Sequence, residues 1–136
     1  MPSIITRGGM SAKALGFGAS QGGAVYVEDV FSTYLYTGTA AVQTINNGID
    51  LSTKGGLVWI KCRSNSYVHY LFDTVRGRQS QLNTNATSAA TVSDASTTQD
   101  LGSFNVNGFD VGTNYYCNVN SSGQTFASWT FREQPK

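Results

Sequence analysis

The chain has 136 residues and a formal net charge of +1, and charged residues make up 12% of it, about half the usual share. This length suits one domain with its own hydrophobic core. The small net charge argues against binding to nucleic acid or to an anionic membrane, and no apolar run approaches the roughly 20 residues of a membrane-spanning helix. The polar surface must be built from Ser, Thr, Asn, Gln and Gly, which suits sheets and turns or a surface covered by neighbouring subunits.

The two cysteines, Cys62 and Cys117, are too few for a disulfide framework. The first residues lack the compact apolar stretch of a secretory signal. The chain is therefore expected to mature in a reducing cytosol, where a disulfide between these cysteines is disfavoured. For the same reason, the sequons at Asn85 and Asn120 are interpreted as chance matches.

The segment from residue 1 to about residue 23 differs from the rest of the chain. Six glycines interrupt it, and such a composition cannot form a packed core by itself. Two interpretations stay open, a flexible tail or an extended arm that orders on a neighbouring subunit. The apolar residues that could anchor an arm, and that are therefore candidate interface contacts, are Ile4, Ile5, Leu15 and Phe17. The predicted division is an extended arm over 1–23 and a β-sandwich domain over 24–136.

A β pattern begins after this segment. The stretch from Phe31 to Tyr36 alternates, and residues 41–45 form a second short strand that Asn46-Asn47-Gly48 closes as a turn. Ile49 and Leu51 follow as alternate apolar positions.

A hairpin between Gly56 and Gly77 is predicted to be the centre of the core. Its first strand is apolar without a break from Leu57 to Ile60, so both of its faces are expected to be covered. Turn-forming residues 64–66 predict a tight connection. The second strand is predicted over 67–74, with His69 on the face opposite to Tyr70.

The rest of the chain continues the β pattern. Residues 79–100 predict one or two short exposed strands, and residues 101–104 and 109–111 predict a strand pair with Asn107-Gly108 as its turn. A polar loop, Thr113 to Gln124, precedes a last strand, Thr125 to Phe131. No window has helical spacing. The predicted fold is all-β, a two-sheet antiparallel β-sandwich of eight to ten short strands.

The residue types that usually carry catalysis are sparse. His69 is the single histidine, and no local pattern marks an activated serine or a set of zinc ligands beside it. Asp94, Asp100 and Asp110 fall in loops or at strand ends and leave a calcium site open as a minor alternative, without EF-hand spacing. The chain is therefore predicted not to be an enzyme, with no cofactor, no metal and no catalytic residue.

The aromatic residues offer two roles, core packing and surface contacts. Trp59 and Trp129 lie in the most apolar strands and are predicted to be core residues, with a sugar-stacking platform as the alternative. Tyr115 and Tyr116 lie in the polar loop and are predicted to make exposed interface or ligand contacts, because tyrosine buries much area at little entropic cost.

Several motifs resemble a domain that recurs in bacteriophage tail fibres and other virion structural proteins. They are a G-L-V-W-I-K strand, a D-T-V-R-G turn, an S-F-N-x-x-G-F hairpin and a closing F-x-x-W-x-F strand. In this chain they occupy residues 56–61, 73–77, 103–109 and 126–131, in the same order and at similar spacing. The resemblance covers about residues 30–133 and implies a concanavalin A-like jelly-roll sandwich.

The resemblance also implies a function. It suggests a structural protein of a bacteriophage virion, a tail, fibre or baseplate component made in the bacterial host cytoplasm. Its expected partners are copies of itself, as a trimer or higher ring, and other virion tail proteins. The alternative is a lectin-like, carbohydrate-binding module that contributes to recognition of a host-surface glycan. Nucleic acid and membrane insertion are not expected.

Overall fold

The structure, a computed structural model, describes residues 24–134 and folds them into two antiparallel sheets. The larger sheet has six strands in the order β1-β9-β3-β4-β5-β6, and the smaller sheet has three in the order β2-β8-β7. The predicted all-β, two-sheet antiparallel sandwich is confirmed. The strands are β1 Phe31–Thr37, β2 Gln43–Asn46, β3 Gly56–Cys62, β4 Tyr70–Asp73, β5 Ser80–Asn83, β6 Thr91–Val92, β7 Leu101–Asn105, β8 Gly108–Val111 and β9 Thr125–Arg132.

A short helix, α1, spans Val27–Val30 and leads directly into β1. The side chain of Asp29 accepts a hydrogen bond of 2.9 Å from the backbone N–H of Tyr26, which closes the first turn. The sequence did not predict this helix, because one turn is too short to establish a period of 3.6 residues.

The core lies between the two sheets. The larger sheet contributes alternate residues of its central strands, and the smaller sheet contributes alternate residues of β2, β7 and β8. Loop residues complete it. The buried side chains that form this core include Tyr36, Ile45, Ile49, Leu51, Val58, Ile60, Cys62, Tyr70, Phe72, Leu101, Phe109, Val111, Cys117, Val119 and Phe126.

The central hairpin is present, but its connection is longer than predicted. β3 and β4 pair in register from Leu57 opposite Asp73 to Ile60 opposite Tyr70. Beyond that point the chain stays with β9 instead of turning, because the N–H of Arg63 donates to the carbonyl of Thr125 at 2.7 Å. The predicted tight turn at residues 64–66 is therefore wrong, and the connection extends over residues 63–69.

His69 lies in this connection and not in a strand, which corrects its predicted position. Its backbone N–H donates to Oδ1 of Asn85 at 2.9 Å, and its carbonyl accepts a hydrogen bond of 2.9 Å from the N–H of Thr84. These two bonds hold the connection against the two residues that follow β5, and β4 begins at the next residue, Tyr70.

The hairpin of the smaller sheet matches its prediction closely. β7 and β8 pair antiparallel, with Asn105 opposite Gly108 and an irregularity between Leu101 and Ser103. Gly108 has a φ of +141°, and a Cβ at this position would meet the carbonyl oxygen of Ile45 at 1.9 Å. Glycine is therefore required here both by the backbone conformation and by the close approach of β2.

The candidate anchor residues of the arm, Ile4, Ile5, Leu15 and Phe17, fall outside the described residues. The division of the chain into an arm over 1–23 and a sandwich over 24–136 accordingly stays a prediction.

Candidate functional site

The outward-facing surface of the larger sheet carries large apolar side chains. In β3, Val58 and Ile60 point into the core, whereas Leu57 and Trp59 point away from it and are partly exposed. Trp129 lies directly opposite Trp59 in β9, and their ring centroids are 5.2 Å apart at an angle of 45°. The prediction that both tryptophans are core residues, with both faces of β3 covered, is therefore wrong.

The orientation of β9 explains this result. Its inward positions are Phe126, Ser128 and Thr130, all with 0% exposure. The two hydroxyls are tolerated there because each has a partner: that of Thr130 accepts a hydrogen bond of 2.8 Å from Nδ2 of Asn47, and that of Ser128 donates to the carbonyl of Tyr34 at 3.4 Å. The more apolar side of β9 consequently faces outward.

The apolar surface continues from the two tryptophans to the edge of the sheet. Phe31 and Phe131 face each other across β1 and β9 with ring centroids 4.8 Å apart. Leu35 is 57% exposed and Phe131 is 42% exposed. We call this surface the outer apolar face; its members, all on alternate positions facing away from the core, are Phe31, Leu35, Leu57, Trp59, Leu71, Leu82, Trp129 and Phe131.

A second surface is the polar loop Thr113–Gln124, which we call the tyrosine loop. Its fold depends on Asp100, a buried residue in the left-handed region at a φ of +47°. The Asp100 carboxylate accepts hydrogen bonds from three successive backbone N–H groups, those of Tyr115, Tyr116 and Cys117, at 2.8 to 3.2 Å. Charge-assisted bonds of this kind are stronger than neutral ones, so they fix the loop backbone.

Asn120 holds the other half of the tyrosine loop. Its fully buried side chain accepts from the N–H of Thr39 at 3.0 Å and donates to the carbonyls of Ala41 at 2.7 Å and Gly112 at 2.9 Å. The hydroxyl of Tyr36 also donates to the carbonyl of Val119 at 2.7 Å. Because the Asn120 amide is buried and hydrogen-bonded, the sequon at this position is not accessible in the fold.

This scaffold presents the predicted contact residues Tyr115 and Tyr116 to solvent, exposed by 50% and 51%. Their rings meet edge to face with centroids 4.5 Å apart. The charge of Asp94 next to Tyr115 raises the pKa of that phenol, and the neighbouring Tyr116 raises it further. The phenol of Tyr115 thus lies beside a carboxylate that sequence reasoning had not linked to it.

The three aspartates weighed as calcium ligands lie against other groups, and Asp94 is the carboxylate beside the phenol of Tyr115. Asp100 binds backbone amides, as described above. Asp110 accepts from the hydroxyl of Ser103 and from Nδ2 of Asn105, each at 2.9 Å. Within residues 24–134, no group of three or more His, Cys, Asp or Glu side chains is placed to hold a metal ion.

Both cysteines are free thiols buried in the core. Burial raises the pKa of the Cys117 thiol, and the charge of Asp100 raises it further. A thiol held in its neutral form packs as a small apolar side chain and is a poor nucleophile.

A shallow groove of about 440 Å³ lies beside β7 and is lined by apolar and polar residues that include Leu51, Arg78 and Phe104. The guanidinium of Arg78 is already engaged, since its Nη1 donates to the carbonyls of Ala95 at 2.8 Å and Ser96 at 3.1 Å. These two bonds tie the Arg78 side chain to the loop at residues 95–96. Across the described part of the chain, no helix is long and apolar enough to cross a membrane.

No curated protein and no solved structure matches the chain. The model of one family, described as a domain of unknown function, DUF7483, matches residues 27–135. This range includes α1, the nine strands described above and the tyrosine loop. The chain therefore belongs to the DUF7483 family.

Proposed function

We propose that this chain is a structural protein of a bacteriophage virion, a tail, fibre or baseplate component with a concanavalin A-like jelly-roll sandwich. It acts by assembling with copies of itself, as a trimer or higher ring, and with other virion proteins. It is made in the bacterial host cytoplasm and resides in the tail region of the particle. The motif resemblance supports the virion location, and the outer apolar face supports the mode of action.

The outer apolar face is the observation that carries this proposal. A sheet in a two-layer sandwich needs one apolar face, because only one face packs on the other sheet. Here the inward positions of β3 are apolar, and Trp59, Trp129 and Phe131 add a second apolar surface on the opposite side. Large contiguous apolar patches on soluble domains mark interaction sites. Aromatic side chains are enriched in the buried parts of protein interfaces.

The composition is consistent with the same role. Charged residues make up 12% of the chain, so few surface charges oppose the association of one copy with another. Polar uncharged side chains can be desolvated at an interface at much smaller cost than charges, provided that their hydrogen bonds are met.

The direct test is to ask whether the chain is part of the particle. Virions purified from the source of this gene through a density gradient are digested, and their peptides are quantified by mass spectrometry. We expect peptides of this chain at a fixed ratio to the other structural proteins, retained after high-salt washing. Their absence from infectious particles, with the chain present in the infected cell, would contradict the proposal.

The tyrosine loop favours one alternative, a carbohydrate-binding module that recognises a host-surface glycan. Tyr115 and Tyr116 are exposed aromatic residues on a hydrogen-bonded loop backbone, and the carboxylate of Asp94 lies beside Tyr115. This combination suits a sugar, which stacks its C–H face on a ring and donates hydroxyl protons to a carboxylate.

A glycan array separates the two functions. If the alternative holds, the purified chain binds a defined surface glycan, and Tyr115→Ala weakens binding at least about tenfold, a loss of about 1.4 kcal/mol. Val106→Ala, another exposed apolar position, serves as the control and should bind as the wild type does. Absence of binding to any glycan in the array would count against the alternative and leave the assembly proposal standing.

A further inference from the structure

β1 lies at the edge of the larger sheet, with β9 on one side. It pairs with β9 over seven residues without any irregularity, from Phe31 opposite Phe131 to Thr37 opposite Thr125. Its sequence, FSTYLYT, has no charge and no proline. Natural proteins usually protect an exposed edge by shortening it, bending it with a bulge, or placing charges or proline on it. β1 has none of these protections.

The other edge strands differ from β1. β6 has two residues, β2 has four, and β7 carries the irregularity between Leu101 and Ser103. Among the edge strands of residues 24–134, β1 is thus the longest and has no irregularity.

The hydrogen-bond pattern shows which groups of β1 are available. The N–H of Gly38 donates to the carbonyl of Gln124 at 2.8 Å, so the even-numbered residues of β1 exchange bonds with β9. Because antiparallel pairs alternate, the N–H and C=O groups of the odd-numbered residues point away from β9. Two of these groups already have partners: the N–H of Phe31 donates to the carbonyl of Val27, and the carbonyl of Thr37 accepts from Nε2 of Gln43 at 2.9 Å.

The remaining outward groups have no partner among residues 24–134. They are the carbonyl of Phe31, both backbone groups of Thr33, both backbone groups of Leu35, and the N–H of Thr37. Donors and acceptors are therefore equal in number along this edge.

We propose that β1 is a homotypic interface, in which it pairs antiparallel with β1 of a second copy of this chain about a two-fold axis at Tyr34. In this register Thr33 pairs with Leu35 of the second copy through both backbone groups, and Leu35 pairs with Thr33 of the second copy. The N–H of Thr37 reaches the carbonyl of Phe31 of the second copy. Every backbone group without a partner then forms a hydrogen bond. The N–H of Phe31 and the carbonyl of Thr37 keep the partners that they already have.

Other registers fit less well. With the axis at Thr33, Phe31 faces Leu35 of the second copy. The N–H of Phe31 already donates to the carbonyl of Val27, so the carbonyl of Leu35 of the second copy has no donor. With the axis at Leu35, the N–H of Thr33 must share the carbonyl of Thr37 of the second copy with Gln43, and the carbonyl of Phe31 is left without a donor because the N–H of Thr39 already donates to Asn120. Unpaired backbone groups at a dry interface carry a free-energy cost, so the axis at Tyr34 is favoured.

A second copy is also a better occupant than the preceding segment of the same chain. Residues 16–23 contain four of the six glycines of that segment, and glycine weakens a strand because it adds no packing and costs more entropy to order. Two β1 strands carry no charge to repel each other. Their pairing also joins the two outer apolar faces across Leu35.

This inference rests on the proposed assembly function and specifies one of its contacts. A two-fold contact is isologous, so it makes a dimer by itself and joins two rings back to back when each ring subunit carries it.

Site-directed disulfide cross-linking tests the register. Tyr34 would face Tyr34 of the second copy in a non-hydrogen-bonded pair with Cα atoms about 4.5 Å apart, which is within the range for a disulfide. Oxidised Tyr34→Cys protein should therefore run as a covalent dimer on a non-reducing gel. The native Cys62 and Cys117 are buried and should not contribute.

Three controls define the outcome. Thr33→Cys should not link, because its partner in this register is Leu35. Val92→Cys, at the exposed edge β6, reports links from random collision. Adding Leu35→Lys to Tyr34→Cys should reduce the rate of linking at least about tenfold, since a charge blocks an edge.

Equal linking rates for Tyr34→Cys and Val92→Cys would overturn the proposal. So would a Tyr34→Cys link that forms only after residues 2–22 are deleted, because the chain's own segment would then cover the edge. Neither result bears on whether the chain is a virion protein, which the mass spectrometry of purified particles tests. The pairing of β1 and the virion function can therefore be disproved independently.

Discussion

Asp100 fixes the backbone of the tyrosine loop at three successive residues. Its carboxylate is buried and accepts from three consecutive backbone N–H groups, so its removal leaves one buried and two partly buried donors without an acceptor. Nothing in the sequence around Asp100 marks this role, because the partners lie 15 to 17 residues further along the chain.

Asp100→Asn isolates the effect of the carboxylate, since asparagine tolerates the left-handed backbone conformation that residue 100 adopts. We expect a loss of about 2–3 kcal/mol in the free energy of unfolding, the range for buried donors that lose a charged acceptor. Chemical denaturation measures it. Asp94→Asn, an exposed carboxylate, should change stability by less than about 0.5 kcal/mol. Equal stability of Asp100→Asn and the wild type would contradict this account of the loop.

Trp59 illustrates the difference between the two faces of the larger sheet. Its indole is partly exposed on the outer apolar face, with Nε1 donating to the hydroxyl of Thr84 at 2.9 Å. We expect Trp59→Ala to cost about 1–2 kcal/mol, less than the roughly 3–5 kcal/mol for a fully buried aromatic such as Phe72. Thermal or chemical unfolding of both variants gives the comparison. Equal losses would place Trp59 in the core.

The turn after β4 is held by one ion pair. Nε of Arg76 lies 2.6 Å from Oδ2 of Asp73, and the backbone N–H of Arg76 donates to Oδ1 at 2.7 Å. Burial opposes ionisation of Asp73, but the hydrogen bonds and the charge from Arg76 outweigh it and hold the pKa of this carboxyl below its usual value.

A lowered pKa sets the direction of the pH effect. The contribution of Asp73 is complete above the ordinary pKa of about 3.9 and is lost as the pH falls through the lower folded-state value. Asp73→Asn should therefore cost about 1 kcal/mol at pH 7, and its difference from the wild type should shrink below pH 4. Denaturation at a series of pH values measures this. A difference that stays constant down to pH 2 would show that the charge is not responsible.

At the level of strands, periodicity predicted most of the fold. In β1 and β9 it correctly grouped the residues that share a face, and Asn107-Gly108 correctly marked the β7–β8 turn. A period of two cannot tell which face is buried when both are apolar, and the hydroxyls of Ser128 and Thr130 on the inward side of β9 reversed the expected choice. The long connection before β4 depends on bonds to β9 and β5, which local sequence does not encode.

For the candidate site, the sequence identified Tyr115 and Tyr116 as exposed but not the groups that hold them. The carboxylate of Asp100 and the amide of Asn120 act across the fold, and these contacts exist only after the sheets have formed. The outer apolar face was missed for the same reason, since its residues come from five strands.

For the molecule as a whole, the predicted arm makes a distinct test possible. We expect that residues 1 to about 23 lie across another subunit, anchored by Ile4, Ile5, Leu15 and Phe17. Burial of each side chain contributes roughly 1.5–3 kcal/mol. Deleting residues 2–22 should leave the thermal unfolding of the sandwich nearly unchanged and abolish incorporation into the particle.

Two outcomes of the deletion would contradict the prediction that this segment is an assembly arm. Unfolding of the shortened chain would make the segment part of the core of its own domain. Normal incorporation would make it a dispensable tail. Leu15→Ser together with Phe17→Ser in the full-length chain is the matched variant that keeps the length and removes the anchors.

Sedimentation equilibrium of the purified full-length chain over a range of concentrations tests most directly the claim that the larger sheet is an assembly surface. The account predicts a mass of at least two chains of 14.6 kDa each, and a shift toward the mass of one chain in Leu35→Lys but not in Val92→Lys. A mass of one chain at every concentration would contradict it.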